Sequence, residues 1–112
     1  MVGGNLNAII QRKTTDKNEI GESLAIWTDK FHIKGWLDLS SGDSSRQEHK
    51  TKTEKSTHVF ICDYNRDVRN IDISQCRFVC SDRVYEIKYV DDPMEIHDHL
   101  EITLKLVGVA NG

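Results

Sequence analysis

A period-two alternation of apolar and polar residues is the feature that most limits the fold. It is longest over residues 23–39, where one face carries Phe31, Ile33, Gly35, Leu37 and Leu39 and the other carries His32, Lys34, Trp36 and Asp38. Successive side chains of a β-strand point to opposite faces, so this period indicates strands. No long stretch has the i, i+3, i+4, i+7 apolar spacing of an amphipathic helix. The sequence therefore predicts an all-β fold.

Six stretches are predicted to form strands, at residues 6–13, 23–39, 57–64, 75–80, 84–90 and 99–109. Residues 14–22 contain Asp, Asn and Gly, which tolerate turn geometry, and are predicted as a hairpin loop. Gly35 inside the second strand predicts a bulge or bend. Strands joined mostly in sequence favour a meander, and we predict a small antiparallel β-barrel of about six strands.

The same pattern places three groups of apolar residues. One face of the fifth strand is predicted to carry Tyr85, Ile87 and Tyr89. The last strand is predicted to turn inward Leu100, Ile102, Leu104 and Leu106. The irregular residues 65–74 are predicted to be anchored to the core by Val68, Ile71 and Ile73.

Length and composition indicate a single domain, residues 1–112, because domains commonly contain ~100–150 residues. The formal net charge of −3 argues against a general binder of nucleic acids or membrane surfaces. The sequence has no apolar run of about 18 residues and no signal-peptide pattern at its start. We therefore expect a cytosolic protein with Cys62, Cys76 and Cys80 reduced.

Residues 40–56 interrupt the strand pattern, since these seventeen positions contain no apolar residue. Nothing there can be buried, so we predict a flexible loop between the second and third strands that is solvated, mobile or ordered only by a partner. The segment has four Lys or Arg residues against three acidic ones. We therefore do not expect one copy to bind DNA phosphates tightly.

Several motifs occur in an order that resembles a known family. They are Ala25-Ile26-Trp27 through Gly35-Trp36-Leu37, a polar segment opening with Ser41-Gly42-Asp43, the strand Thr57-His58-Val59-Phe60-Ile61-Cys62-Asp63-Tyr64, and a hairpin from Phe78 to Ile87 followed by Val90-Asp91-Asp92-Pro93. Over roughly residues 9–106 the chain is similar to the head–tail joining proteins (head completion or stopper proteins) of long-tailed bacteriophages and prophages. It departs from them where Asp63 precedes Tyr64 in place of an Arg, and where Ser81-Asp82 replaces a common Gly.

The resemblance implies a structural virion assembly protein that is monomeric when free. Such proteins assemble into a ring beneath the portal and adaptor proteins, help to retain the packaged DNA by steric contact, and provide the surface on which the tail docks. The implied locations are the cytoplasm of the bacterial host during assembly and the virion neck, with no cofactor and no membrane. The residues implied for a loop in the channel are Ser41, Gly42, Asp43, Arg46, Glu48, Lys50, Lys52, Glu54 and Lys55.

Two aromatic residues are predicted to contribute to interfaces, Trp36 and Tyr64. Trp is enriched at interface hot spots, and Trp36 lies on the polar face of its predicted strand. The alternative for Trp36 is core packing on a strand that is covered on both faces.

Other clusters are interpreted as structural. His97 and His99 could share one strand face, but a zinc site needs further ligands, so we expect solvent-facing histidines. Cys76 and Cys80 would lie ~13 Å apart on a strand, too far for a disulfide. The acidic residues near the single proline are expected to form a solvated turn, and they are Asp91, Asp92, Glu95 and Asp98.

No common catalytic motif is present in the sequence, including the P-loop, the nucleophile elbow and the zinc-protease motif, so we do not expect an enzyme. The alternative to an assembly protein is a cytosolic β-barrel module that binds a peptide or a small ligand. Assembly separates the two, because a stopper should join a ring with a portal–adaptor complex and a ligand-binding module should not.

Overall fold

The computed structural model describes Gly4 and residues 6–39 and 56–109. Its strands are β1 (Leu6–Lys17), β2 (Ser23–Leu39), β3 (His58–Asp63), β4 (Cys76–Cys80), β5 (Arg83–Asp91) and β6 (His99–Val109). The described helices are α1 (Arg66–Arg69) and two short 3₁₀ helices (Ile73–Gln75 and Pro93–Glu95). The strands pair antiparallel in the order β1-β2-β3-β6-β5-β4, and β4 pairs with β1 to close the barrel. The predicted fold class is confirmed.

The barrel interior is filled by side chains, with three aromatic rings at its centre. Phe60 and Phe78 contact edge to face with ring centroids 5.0 Å apart, and Phe78 and Tyr85 do so at 5.8 Å. None of the three residues is more than 1% exposed. The other buried members of this core are Ala8, Ile10, Cys62, Val68, Cys80, Ile87, Leu100, Ile102 and Leu104.

Most of the predicted apolar contacts are confirmed. Leu106, Ile71 and Ile73 are partly buried and pack against the core. Tyr89 is the exception, because 59% of this residue is exposed. The register between β5 and β6 shifts between Ile87 and Tyr89, which places the later side chain on the outer face. The prediction for Tyr89 is wrong because a bulge inserts one residue into a strict period of two.

The irregularity in β2 lies at Lys30 and not at Gly35. The ladder with β1 includes Asp29 and Phe31 but passes over Lys30. Gly35 is required for close packing instead, since a Cβ there would lie 2.1 Å from the carbonyl oxygen of Ile61. Of the predicted bulge or bend at Gly35, the bulge is therefore wrong, and the glycine is needed because two backbones approach each other.

β1 and β2 continue past the barrel as a two-stranded ribbon, which we call the arm (residues 13–27). β4 pairs with β1 only over Ala8–Arg12, and β3 pairs with β2 only over Gly35–Leu39. Within the described residues, the two strands of the arm therefore pair only with each other. Isolated two-stranded ribbons are marginally stable in water.

The predicted hairpin loop, residues 14–22, is longer than the observed turn. Residues 14–17 continue β1 and pair with residues 23–26 of β2. Two of these four residues are threonines, which favour strands. The turn itself is confined to residues 18–22.

The connection between β2 and β3, residues 40–55, lies outside the described residues, and so does the predicted loop apart from Ser56. Across the described ranges, no helix is long and apolar enough to cross a membrane.

All three cysteines are free, and Cys76 and Cys80 lie on β4 as predicted. Cys62 and Cys80 are buried, whereas Cys76 is partly exposed. Burial, followed by the negative charge of Asp63, raises the pKa of Cys62 to about 11. The Cys62 thiol is therefore protonated at neutral pH.

Candidate interaction surfaces

The end of the barrel where the 40–55 connection enters β3 is fixed by Thr57. The Thr57 hydroxyl oxygen accepts a hydrogen bond from the backbone N–H of Leu106 at 2.7 Å and lies 2.8 Å from Nδ1 of His58. The His58 ring packs edge-on against Tyr85, with centroids 5.1 Å apart. Burial lowers the pKa of His58, so its imidazole is neutral at pH 7. The Thr-His pair therefore holds the attachment point of the connection in place.

A turn between β5 and β6 is held by the buried carboxylate of Asp92. Positive φ angles occur at Met94 (57°), Glu95 (54°) and His97 (62°), a conformation that L-residues adopt at some cost. Asp92 is 3% exposed, and it accepts hydrogen bonds from the backbone N–H of His97 at 3.1 Å and from its Nδ1 at 2.5 Å. The Arg69 Nε lies 3.5 Å from the same carboxylate.

The balance of these contacts keeps Asp92 ionised. Burial acts to raise its pKa, but the hydrogen bonds from the side chain and backbone of His97 outweigh burial and lower the pKa. The expectation that this acidic turn is solvated is therefore wrong for Asp92. A buried charge requires partners, and the hydrogen-bond donors to Asp92 lie within the turn. Its carboxylate therefore stabilises the conformation of the turn.

The two histidines of the predicted metal fragment contact different carboxylates. His97 is exposed on one side, as predicted, and pairs with Asp92. His99 is half-buried, so the prediction of a solvent-facing side chain is wrong for it. Its Nε2 lies 3.1 Å from Glu101, a hydrogen bond that raises the pKa of His99. In the part of the chain that the structure describes, no group of three or more His, Cys, Asp or Glu side chains is placed to hold a metal ion.

The two predicted interface residues lie in different surroundings. Trp36 is on the outer face of β2, opposite Ile61 of β3, and is 48% exposed. Tyr64 is half-buried against the core, and its ring stacks at 4.5 Å on the ring of His97. The predicted channel residues lie outside the described residues, and they are Ser41, Gly42, Asp43, Arg46, Glu48, Lys50, Lys52, Glu54 and Lys55.

The turn of the arm presents an exposed apolar side chain on an ordered backbone. Oδ1 of Asn18 accepts hydrogen bonds from the backbone N–H groups of Ile20 at 3.0 Å and Glu22 at 2.9 Å. Gly21 completes the turn with a positive φ of 88°, which glycine adopts without strain. Ile20, in the middle of this turn, is 77% exposed. The sequence pattern predicts residues 14–22 as a polar loop and does not single out Ile20. Ile20 is the one apolar residue in that range.

An open groove of about 570 Å³ lies at the base of the arm. One part of its wall is Trp27, with the Arg77 guanidinium 4.3 Å above the indole ring. Lys13 and Lys88 add positive charge to the lining, and Glu86 adds one carboxylate. Val107 adds an exposed apolar patch. The groove joins residues from five strands, so the sequence gives no local signal for it.

These surfaces belong to a chain whose sequence matches a family model over residues 5–107, that of the phage head completion protein. The chain belongs to this family. The family is one of structural phage proteins, so this head completion protein is a structural component of the phage head. No curated protein matches the sequence.

Two solved structures share the fold of this head completion protein. Protein SF1141 from Shigella flexneri 2a, solved in solution, superposes with a TM-score of 0.69 at 18% identity, and the match covers 95% of each chain. A chain in the virion of the native gene transfer agent particle superposes with a TM-score of 0.56 at 14% identity, covering 94% of this chain and 98% of that chain. At these identities the likeness establishes the fold.

Proposed function

We propose that this head completion protein is a stopper-type component of the head–tail connector. Copies of it form a ring beneath the portal and adaptor proteins, help to retain packaged DNA, and present the surface on which the tail docks. It acts in the cytoplasm of the bacterial host during assembly and then in the virion neck, without catalysis. The observation that carries the proposal is the family match over residues 5–107.

The positions of the arm and of Leu39 on β2 support this role. β2 begins at the turn of the arm and ends at Leu39, where residues 40–55 leave the barrel. The turn of the arm and Leu39 therefore lie at opposite ends of this strand of 17 residues. A barrel with the arm at one end of β2 and Leu39 at the other is suited to contact a neighbouring copy with the arm, and we propose that residues 40–55 serve the channel.

Steric retention of DNA fits the composition of residues 40–55. With four basic and three acidic residues among positions 41–56, one copy has little net charge for phosphate binding. A ring concentrates many copies of this segment in one channel, and obstruction does not require tight binding by any of them. We therefore propose that these residues, Ser41 to Lys55, touch the packaged DNA sterically.

The packed interior argues against the alternative of a ligand-binding barrel. Phe60, Phe78 and Tyr85 occupy the centre of the barrel and contact one another. A ligand bound there would have to displace these rings, and each buried aromatic side chain contributes roughly 1.5–3 kcal/mol. The outer surfaces remain as the sites of interaction, as an assembly protein requires.

DNA-filled heads that carry portal and adaptor but lack this protein provide the test. Adding the purified protein is expected to produce an extra ring in electron micrographs, nuclease-resistant DNA and competence for tail attachment. A variant in which residues 43–54 are shortened to a brief Gly-Ser linker should form the ring but lose DNA. In a control variant, residues 43–54 are replaced by an equal number of Gly and Ser residues, which keeps the length of the segment and removes its charges. A steric role predicts that this control retains DNA.

Two outcomes would contradict this proposal. If the purified protein does not bind the portal–adaptor end of the heads, the connector role is wrong. If the shortened variant retains DNA as well as the original chain, the assignment of residues 40–55 to the channel is wrong.

A further inference from the structure

The geometry points to an intersubunit contact in which the arm tip of one copy docks into the groove of a second copy. The arm tip is residues 16–22, and the groove is the one lined by Lys13, Trp27, Arg77, Lys88 and Val107. This inference rests on the proposed ring and names the surfaces that build it.

The arm tip is shaped before it binds. Asn18 ties the turn through its side chain and through backbone hydrogen bonds to Gly21 and Glu22, each at 3.0 Å. Ile20 therefore stands exposed on an ordered backbone. A preorganised apolar side chain loses little conformational entropy on binding, which favours association.

The charges of the arm tip and the groove are complementary. Residues 16–22 contain three acidic residues and one lysine, a formal charge of −2. In the described part of the chain, none of these carboxylates forms an ion pair. The groove has three basic side chains and one carboxylate, a formal charge of +2. Complementary charges favour docking and set its orientation.

The groove also offers apolar surface for Ile20. Trp27 forms part of its wall, and Val107 is exposed at its edge. Transfer of an isoleucine side chain from water to such a surface contributes to association, because apolar area is removed from solvent on both partners. The combination of an apolar anchor and surrounding charges resembles the usual arrangement of a protein interface.

A chain cannot fill its own groove in this way. Lys13 lines the groove and Asn18 begins the turn of the arm, and the five residue steps from Lys13 to Asn18 span ~17 Å along the arm. The contact therefore joins two different surfaces of two copies. A heterologous contact of this kind generates a ring when its rotation closes.

Cross-linking tests the contact directly, because Cys76 is partly exposed and lines the groove. The variant Ile20→Cys, treated with a short bis-maleimide in the assembled connector, is expected to give a ladder of linked subunits. Peptide mass spectrometry should place the link between position 20 and Cys76. Adding Cys76→Ser should remove the ladder. The matched control Met94→Cys, exposed but away from the arm, should give roughly tenfold less linked product.

Charge reversal provides a second measurement that leaves the turn intact. Glu19→Lys is expected to reduce linking of the Ile20→Cys protein by roughly fivefold, as an acidic side chain of the arm tip becomes a basic one facing the basic groove. Lys13→Glu in the same chain should restore it. Asp38→Lys makes the same change of charge on an exposed part of β2 and should have little effect.

The outcomes separate this contact from the proposed function. If the Ile20→Cys protein attaches to heads and retains DNA but gives no link to Cys76, the contact is wrong and the connector role stands. If the original chain fails to attach to heads, the connector role is wrong. A link to Cys76 that Glu19→Lys leaves unchanged contradicts the electrostatic part of the contact.

Discussion

The imidazole of His97 donates a hydrogen bond from Nδ1 to the buried carboxylate of Asp92 at 2.5 Å. The same carboxylate accepts the backbone N–H of His97 at 3.1 Å, so one side chain holds both ends of the turn between β5 and β6. Replacing Asp92 with Ala leaves the backbone N–H of His97 without its acceptor and Arg69 without its ion-pair partner. We expect a loss of about 1–3 kcal/mol in the free energy of unfolding, measured with urea.

The pH dependence of this difference is a further check on Asp92. The lowered pKa means that the stabilisation is fully present above the ordinary value of 3.8 and is lost as pH falls through the lower value in the folded protein. The original chain and Asp92→Ala should therefore converge in stability at acidic pH. Asp98→Asn, a change at an exposed carboxylate, should differ little from the original chain.

His99 should make stability depend on pH in the opposite direction. Its hydrogen bond with Glu101 raises its pKa above the ordinary 6.5. The stabilisation is present below 6.5 and is lost as pH rises through the raised value. The difference in thermal unfolding midpoint between the original chain and His99→Gln should decrease as the pH rises from 6.5 through the raised pKa of His99. A difference that grows with pH would show that His99 is stabilised as the neutral form.

Gly35 should not accept a side chain. A Cβ there would lie 2.1 Å from the carbonyl oxygen of Ile61, so Gly35→Ala forces β2 and β3 apart. We expect a destabilisation of about 1–3 kcal/mol by chemical unfolding. Gly108→Ala is the matched control, since nothing lies within 4 Å of its Cβ, and it should cost less than ~0.5 kcal/mol. Equal effects at the two positions would contradict the close approach.

Thr57→Val removes the hydroxyl that accepts the backbone N–H of Leu106. The unpaired donor should lower the free energy of unfolding by about 1–3 kcal/mol, because the methyl group cannot accept a hydrogen bond. Faster amide hydrogen exchange at Leu106 would locate the effect. Thr14→Val, whose hydroxyl bond of 3.4 Å is exposed, should change stability by less than ~0.5 kcal/mol. Unchanged exchange at Leu106 would show that this bond does not protect the end of the barrel.

The thiols should react with maleimide in an order set by burial. Cys76 is partly exposed and is expected to be labelled first in the folded protein. Cys62 is buried with a pKa of about 11, so it should react only when the barrel opens. Mass spectrometry of a labelling time course checks this order. Labelling of Cys62 as fast as Cys76 would mean that the barrel opens readily.

Period-two alternation was sufficient for the fold class and for most of the core, because each inward position of a strand must be apolar. It failed at Tyr89, where a bulge between β5 and β6 shifts the register. It also failed at Gly35, because a close contact between two backbones depends on the tertiary fold. Neither effect has a local signal in the sequence.

The interaction surfaces were harder to predict for the same reason. The burial of Asp92 depends on a turn with positive φ angles at several residues. The sequence alone showed only that this segment is polar and acidic. The groove is assembled from residues far apart in the chain, such as Lys13 and Val107. The exposed position of Trp36 followed from alternation alone, since it needed only the correct face of one strand.

Closure of the barrel has a consequence for how the chain folds. β1–β2 and β4–β5 are local hairpins, but β1 must also find β4, and β3 must find β6. Pairings between distant segments slow folding because loop entropy is lost before the contacts form. The hairpin that contains the arm can therefore form early during synthesis. The barrel can close only after β6 has left the ribosome, and until then the apolar face of β3 lacks its cover.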